Sequence, residues 1–382
     1  MSYLVLDVES TIKNKGHPFT PSNKLCVVGT SRGIYDIEYS DSPFGEHLRE
    51  IQSQIDAAET LVGFNIKFDL HWLRRYGIRV PPTVRVHDCQ LGYFLLTAQE
   101  HRLPSLNDVG VAYGLGEKYD VVEKEYWSQG IDTPYVPYSV LVEYLQRDLE
   151  LTEQVYLRQL VCFQESPKLH RLFELQCEDL LVLEEMEWNG LPYDKEKSLE
   201  KAVVLEGQMA ALRDDLNQLT DGVVVNWNSP EQVSAVLYGG VIKEAYQEDF
   251  LFTYKDPKRE PVWKKRWRER EHSLPRLVEP LKNSQLQKDG VYSTSESTLL
   301  ELNTKGKATH IVRSLLSYAK LSKELDYFQG IPKLIEEMEW EDNVLHGNLN
   351  QCNVVTGRLS SNKPNQQNMT EEVHELIGSR YD

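Results

Sequence analysis

Four acidic residues, dispersed over the first 148 positions, constrain this chain more than any other feature. Asp7 and Glu9 sit in the apolar run Y-L-V-L-D-V-E-S, Asp69 closes V-G-F-N-I-K-F-D, and Asp148 closes Y-L-Q-R-D. Carboxylates drawn from distant segments repel one another and lose hydration, so a fold that gathers them needs compensating charge. Hard divalent cations such as Mg²⁺ and Mn²⁺ take oxygen ligands and supply it. Two such ions close together can clamp the attacking and leaving oxygens of a phosphodiester. The pattern points to metal-dependent nuclease chemistry.

Local periodicity places each acid. Side chains alternate along a strand, so Asp7 and Glu9 share a face. Taken alone they read better as two solvent-facing acids of an edge strand, since D-x-E is a common pattern. Asp69 falls near a predicted helix start, where an acid favours the helix dipole without any further role. Tyr144 precedes Asp148 by one helical turn on the same face, which lets its hydroxyl orient an attacking water. It is the order, spacing and apolar setting of the three motifs together that favour a site.

The chain has 382 residues, enough for two or three domains, and no apolar run of membrane-spanning length. It opens directly on a strand-like segment without a basic leader, so a cytoplasmic setting is expected. Its five cysteines are scattered and form no Cys-x-x-Cys pair, which argues against a zinc site or a disulfide framework. The formal net charge of −17 does not favour nucleic-acid binding overall. Binding depends on local patches, so any basic footprint should be clustered.

Strands are expected at Y-L-V-L-D-V-E, K-L-C-V-V-G-T, G-I-Y-D-I-E-Y and T-L-V-G-F. Helices are expected over 44–58, from Lys67 to Gly77, over 89–97 and 105–113, and from Ser139 to Cys162. This describes an α/β domain, a mixed sheet with flanking helices, over residues 1–165. Two long helices separated by the turn Asn189-Gly190 follow, then a short helix capped by Ser229. Residues 241–290 read as a basic β-ribbon around the turn K-D-P-K-R-E-P. Helices return at S-T-S-E-S-T-L-L-E-L, which opens like a capping box, and at T-H-I-V-R-S-L-L-S-Y-A-K-L-S-K-E-L. A strand is expected over 343–351. Residues 166–342 thus form a mainly helical domain with a β-ribbon insertion, and 343–382 a final segment.

D-V-E-S, N-I-K-F-D and Y-L-Q-R-D resemble the three motifs of the 3′→5′ proofreading exonuclease domain of family A DNA polymerases, in its tyrosine variant. The resemblance implies a ribonuclease H-like fold and two divalent cations, Mg²⁺ or Mn²⁺. Asp7, Glu9 and Asp148 would hold one cation. Asp7 and Asp69 would serve the other, Asp69 partly through water. Tyr144 would position the nucleophile, while Ser10 and Asn65 match positions near the terminal nucleotide.

The resemblance continues along the chain. W-N-S-P-E-Q-V-S-A-V-L and the two later helical runs are similar to thumb helices of those polymerases. H-G-N-L-N-Q-C-N-V-V-T-G-R-L-S-S-N-K-P-N-Q-Q-N resembles the entry to the palm, with Thr356, Arg358 and Asn368 at family positions and Arg358 directed to primer–template. Lys264, Lys265 and Arg266, interleaved with Trp263 and Trp267, read either as a DNA-contacting patch or as a solvated ribbon. After Asn368 the tail departs from the family pattern, and only Asp382 follows Arg358 as an aspartate. The expectation is therefore the exonuclease and thumb portion of a replicative polymerase, from a split phage gene or a truncated chain. It would bind single-stranded 3′ ends and primer–template, and a separate chain would carry palm and fingers. The alternatives are a stand-alone exonuclease in repair or RNA trimming, and a non-catalytic DNA-binding subunit.

Overall fold

The computed structural model describes residues 2–40, 43–255 and 258–380. The chain divides into two compact units, residues 1–195 with 331–382 and residues 196–330.

The first unit is built on five strands: β1 (Tyr3–Ser10), β2 (Leu25–Thr30), β3 (Gly33–Asp36), β4 (Thr60–Gly63) and β5 (Arg85–Asp88). Their order is β3-β2-β1-β4-β5, so β1 is central. It pairs antiparallel with β2 and parallel with β4, and β5 continues the parallel half. The central position explains why residues 4–6 and 8 of β1 are buried apolar side chains. Seven helices accompany this sheet: α1 (Gly45–Asp56), α2 (Ile66–Arg75), α3 (Cys89–Leu96), α4 (Leu106–Ala112), α5 (Val121–Glu125), α6 (Tyr138–Gln164) and α7 (Pro167–Asn189). One core joins Leu4, Leu6 and Val8 to Ile51, Ile55, Leu70 and Trp72. A second joins Val5, Val27 and Val62 to Leu141, Leu145, Leu149 and Val155 of α6. Helix α6 can approach the sheet because Gly29 carries no side chain. A Cβ there would lie 2.8 Å from both Leu145 Cγ and Leu149 Cδ1.

Strand β5 and helix α5 were not expected from sequence. R-V-H-D is short and bounded by charge, so it shows no alternation of its own. Its Asp88 accepts from the Leu91 and Ile66 N–H groups and thereby caps α3 while pinning the start of α2.

Strand β6 (Leu191–Pro192) leads out of α7 into the second unit, where α8 (Lys195–Leu219) and α9 (Pro230–Tyr238) follow. Ser229 caps α9. Strands β7 (Gly240–Phe252) and β8 (Val262–Leu274) form the expected ribbon, with each strand one continuous run of 13 residues. Asp256 and Pro257 of its turn lie outside the described residues. Helix α10 (Glu296–Glu301) is capped by Ser295, which accepts from the Thr298 N–H. The capping box S-T-S-E would make Ser293 the cap. The helix instead starts two residues later, and Glu296 falls at its first position. Trp227, Val233, Leu237, Leu299, Ile311 and Leu315 pack as the core of this unit.

Helix α11 (Lys307–Met338) ends in the first unit, where β9 (Val344–Leu345), β10 (Asn348–Asn350), β11 (Ser360–Asn362) and α12 (Glu371–His374) follow. Strand β9 pairs with β6 and β10 with β11. Glu187 of α7 ties this segment to α2. Its carboxylate accepts from Lys67 Nζ at 2.6 Å, pairs with His71 Nε2 at 2.8 Å and accepts from the Leu349 N–H at 2.6 Å. Among the described residues no helix is long and apolar enough to cross a membrane.

Candidate active site

The central strand sets the site. Asp7 and Glu9 project from the same face of β1, and α6 packs across that face with Asp148. The ligand oxygens of Asp7, Glu9 and Asp148 lie within 4.8 Å of one another. Asp69, buried in the first turn of α2, is not in that trio but feels the charge of Asp7 and sits against the Val8 N–H. Asn65, just before α2, takes a left-handed backbone with φ of 58°, which Asn tolerates better than most side chains. Register shifts between Glu9 and Ser10, and the end of the strand is fixed by two bonds to residues 132–133, just before α6. Thr133 Oγ1 donates to the Ser10 carbonyl at 2.6 Å, and Asp132 accepts from the Ile12 N–H at 2.8 Å.

Crowding leaves a clear electrostatic mark. Burial, then the Asp148 charge, pushes the Asp7 carboxyl up to about 7. Burial and Asp7 raise Glu9 well above the usual carboxylate range, and burial followed by Asp7 does the same to Asp69. Burial brings Asp148 to about 6, although a neighbouring Lys118 pulls it down. Asp148 Oδ1 is buried and takes no hydrogen bond. A buried, unpartnered carboxylate oxygen within an all-oxygen group suits a hard divalent cation. Asp7, Glu9 and Asp148 fit a hard divalent cation.

Two residues that the sequence did not single out complete the site. Lys118 Nζ lies 2.9 Å from Asp148 Oδ2, 2.9 Å from Glu123 Oε1 and 2.5 Å from the Tyr144 hydroxyl. That hydroxyl donates to Glu123 Oε1 at 3.1 Å, and Trp127 packs edge-on to the Tyr144 ring at 5.6 Å. Burial, then the charges of Glu9 and Asp148, hold the Tyr144 hydroxyl far above its ordinary range, so it stays protonated. Lys118 follows a loop containing Gly114 and Gly116, both with positive φ, and its N–H is held by Asn107 Oδ1 at 2.9 Å. The only sequence signal was a lysine after G-L-G-E.

The remaining candidates are dispersed. Arg358 and Asn368 are exposed on the segment after β10, in the first unit. Lys264, Lys265 and Arg266 are exposed on β8, in the second. The ribbon register separates these three. Lys264 and Arg266 face the side of Phe250 and Phe252, with Lys264 Nζ 3.9 Å from the Phe252 ring centre and the Arg266 guanidinium 4.9 Å from that of Phe250. Lys265 shares the opposite face with Trp263 and Trp267, which are 73% and 69% exposed. Glu248 bonds both Arg266 and Arg268, so part of the basic charge is already balanced.

Residues 272–380 match the model of DNA polymerase family A. The chain is 30% identical over 235 residues to the DNA polymerase I of Chloroflexus aurantiacus, covering 60% of this chain and 20% of that protein. It is 24% identical over 324 residues to the DNA polymerase of Bacillus phage SP01, covering 82% of this chain and 34% of that protein. The chain therefore spans about a fifth to a third of the length of these relatives. Among solved structures, the POL domain of Pol1 from M. smegmatis, in complex with DNA primer-template and dNTP, is similar in fold. The TM-score is 0.69 at 18% identity, over 98% of this chain and 54% of that one. By sequence this chain is similar to family A DNA polymerases, with residues 272–380 matching the family model, and its fold is similar to that of a polymerase domain.

Proposed function

We propose that the chain is the proofreading 3′→5′ exonuclease and thumb portion of a family A DNA polymerase, acting in DNA replication in the cytoplasm. The observation that carries this reading is the convergence of Asp7, Glu9 and Asp148, with Asp69 beside Asp7. The sheet order β3-β2-β1-β4-β5, antiparallel on one side and parallel on the other, supports a ribonuclease H-like exonuclease domain over residues 1–165. In this reading residues 166–342 form a thumb-like domain and 343–382 a palm entry. Palm and fingers would come from polypeptide beyond these 382 residues, on a partner chain or on this one.

The substrate is a single-stranded or frayed 3′ end. Two divalent cations, Mg²⁺ or Mn²⁺, would activate the water and stabilise charge on the phosphate. Asp7, Glu9 and Asp148 would hold one, and Asp7 with Asp69 would serve the other. Tyr144, kept neutral, orients the water. Water attacks the terminal phosphodiester, the bond to the 3′ oxygen breaks, and that oxygen takes a proton. The product is a nucleoside 5′-monophosphate. Ser10 and Asn65 lie in sequence beside Glu9 and at the start of the Asp69 helix, where they would meet the terminal nucleotide. Arg358, Asn368 and the ribbon residues Lys264, Lys265 and Arg266 would contact DNA.

The test is digestion of 3′- and 5′-labelled single-stranded DNA by the purified chain, with Mg²⁺ or EDTA. Metal-dependent shortening from the 3′ end is expected. No digestion in Mg²⁺ or Mn²⁺ would refute the reading.

A further inference from the structure

A tyrosine hydroxyl has one proton to give and two lone pairs to receive with. At Tyr144 the proton goes to Glu123 and one lone pair takes the Lys118 ammonium. One acceptor position remains. The hydroxyl rotor is thereby fixed, and a water approaching Tyr144 can only donate to it. Lys118 also lies over the Tyr144 ring, 4.6 Å from its centre, so the ammonium holds the ring as well as its oxygen. The same ammonium bonds Asp148, one turn along α6. The lysine is half-buried, and its charge is held by Asp148 and Glu123 against the desolvation that opposes it.

We propose that Lys118, with Glu123, is a positioning pair for the hydrolytic step: it locks the Tyr144 hydroxyl as a water acceptor and fixes the Asp148 carboxylate beside it. This inference rests on the exonuclease reading above. It separates the two jobs of Lys118. Through Tyr144 it aids the reaction. Through Asp148 it places a positive charge next to the carboxylates that would hold a cation, and so opposes cation binding.

These opposite signs make the test specific. Lys118→Met should lower kcat for single-stranded DNA by roughly 10- to 100-fold, the range of lost positioning shells, with KM little changed. Its affinity for Mn²⁺, measured by calorimetry without DNA, should equal or exceed that of the parent. Tyr144→Phe should slow digestion similarly, and adding Lys118→Met to Tyr144→Phe should cost little more, because one residue acts through the other. Lys118→Arg should recover part of kcat. Unchanged kcat in Lys118→Met, additive losses in the double variant, or weakened Mn²⁺ binding would each overturn the assignment. Failure of the exonuclease reading looks different: the parent itself would neither digest DNA nor bind Mn²⁺.

Discussion

Gly29 lies directly opposite Asp7 on the neighbouring strand, and it is also the point at which α6 comes down onto the sheet. The strand that carries Asp7 and Glu9 and the helix that carries Asp148 thus meet over a residue without a side chain. Adding one methyl by Gly29→Ala would set its Cβ 2.8 Å from Leu145 and Leu149. Overpacking of this kind costs about 1–3 kcal/mol. We expect a lower Tm and slower digestion, because α6 must shift and Asp148 with it. An unchanged Tm with full activity would show that the helix seat is not so tight.

Removing the paired acids tests the chemistry directly. Asp7→Ala with Glu9→Ala should abolish metal-dependent digestion, and binding of a labelled single strand should largely persist, because the variant leaves Ser10, Asn65 and the proposed contacts outside the acid cluster in place. Gel-shift and digestion assays on the same preparation separate the two effects. Surviving digestion would refute the assignment of the site.

Divalent cations should also stabilise the fold, with a defined pH dependence. Asp7 rises from 3.8 to about 7 and Asp148 from 3.8 to about 6. The folded chain therefore holds protons that the unfolded chain releases, and its stability falls as pH rises through that interval. Cations relieve the repulsion only where the acids are ionised. Mg²⁺ should raise Tm most above pH 7, and the gain should fade by about pH 5. A gain that is flat with pH would contradict this.

Glu187 makes the opposite prediction. Its burial opposes ionisation, but His71 and Lys67 outweigh it and lower its carboxyl from 4.5. The stability it provides is complete above the ordinary glutamate range and is lost as pH falls through the lower folded value. Glu187→Gln leaves the buried Lys67 without its charge partner, a change that typically costs about 3–5 kcal/mol. Urea unfolding at pH 7 should read that loss, and the difference from the parent should shrink in acid.

The ribbon prediction concerns salt. Exchanging Lys264, Lys265 and Arg266 for Ala should weaken binding of single strands and flatten its log–log salt slope by roughly 2, if all three meet phosphates. Trp263→Ala with Trp267→Ala should weaken binding with little change of slope, since stacking releases no counterions. Equal affinities throughout would leave the ribbon a solvated hairpin.

What could be read from the sequence was whatever depends on local spacing. Alternation put Asp7 with Glu9, and helical repeat put Tyr144 with Asp148, because both relations lie within one element. The juxtaposition of Asp148 with β1 needed only the resemblance to be anticipated. Lys118 and Glu123 could not be found this way. They reach Tyr144 from a loop and a five-residue helix whose course depends on Asn107 and on glycine conformations, not on any periodic pattern. Strand β5 was missed because four residues bounded by Arg85 and Asp88 carry too little alternation to stand out. Glu187 was hidden for another reason. Along α7 it is one of several similar acids, and only the approach of Lys67, His71 and Leu349 distinguishes it.

That approach has a mechanical consequence. Lys67 and Asp69 are two residues apart on α2, and Lys67 also donates to the Leu349 carbonyl at 2.5 Å. Glu187 grips the Leu349 N–H from the other side. Strand β10 and the helix bearing Asp69 are therefore geared together, although nearly 300 positions separate them in sequence. A change at residues 348–350 therefore disturbs the Lys67 and Glu187 bonds that seat α2, two residues from Asp69.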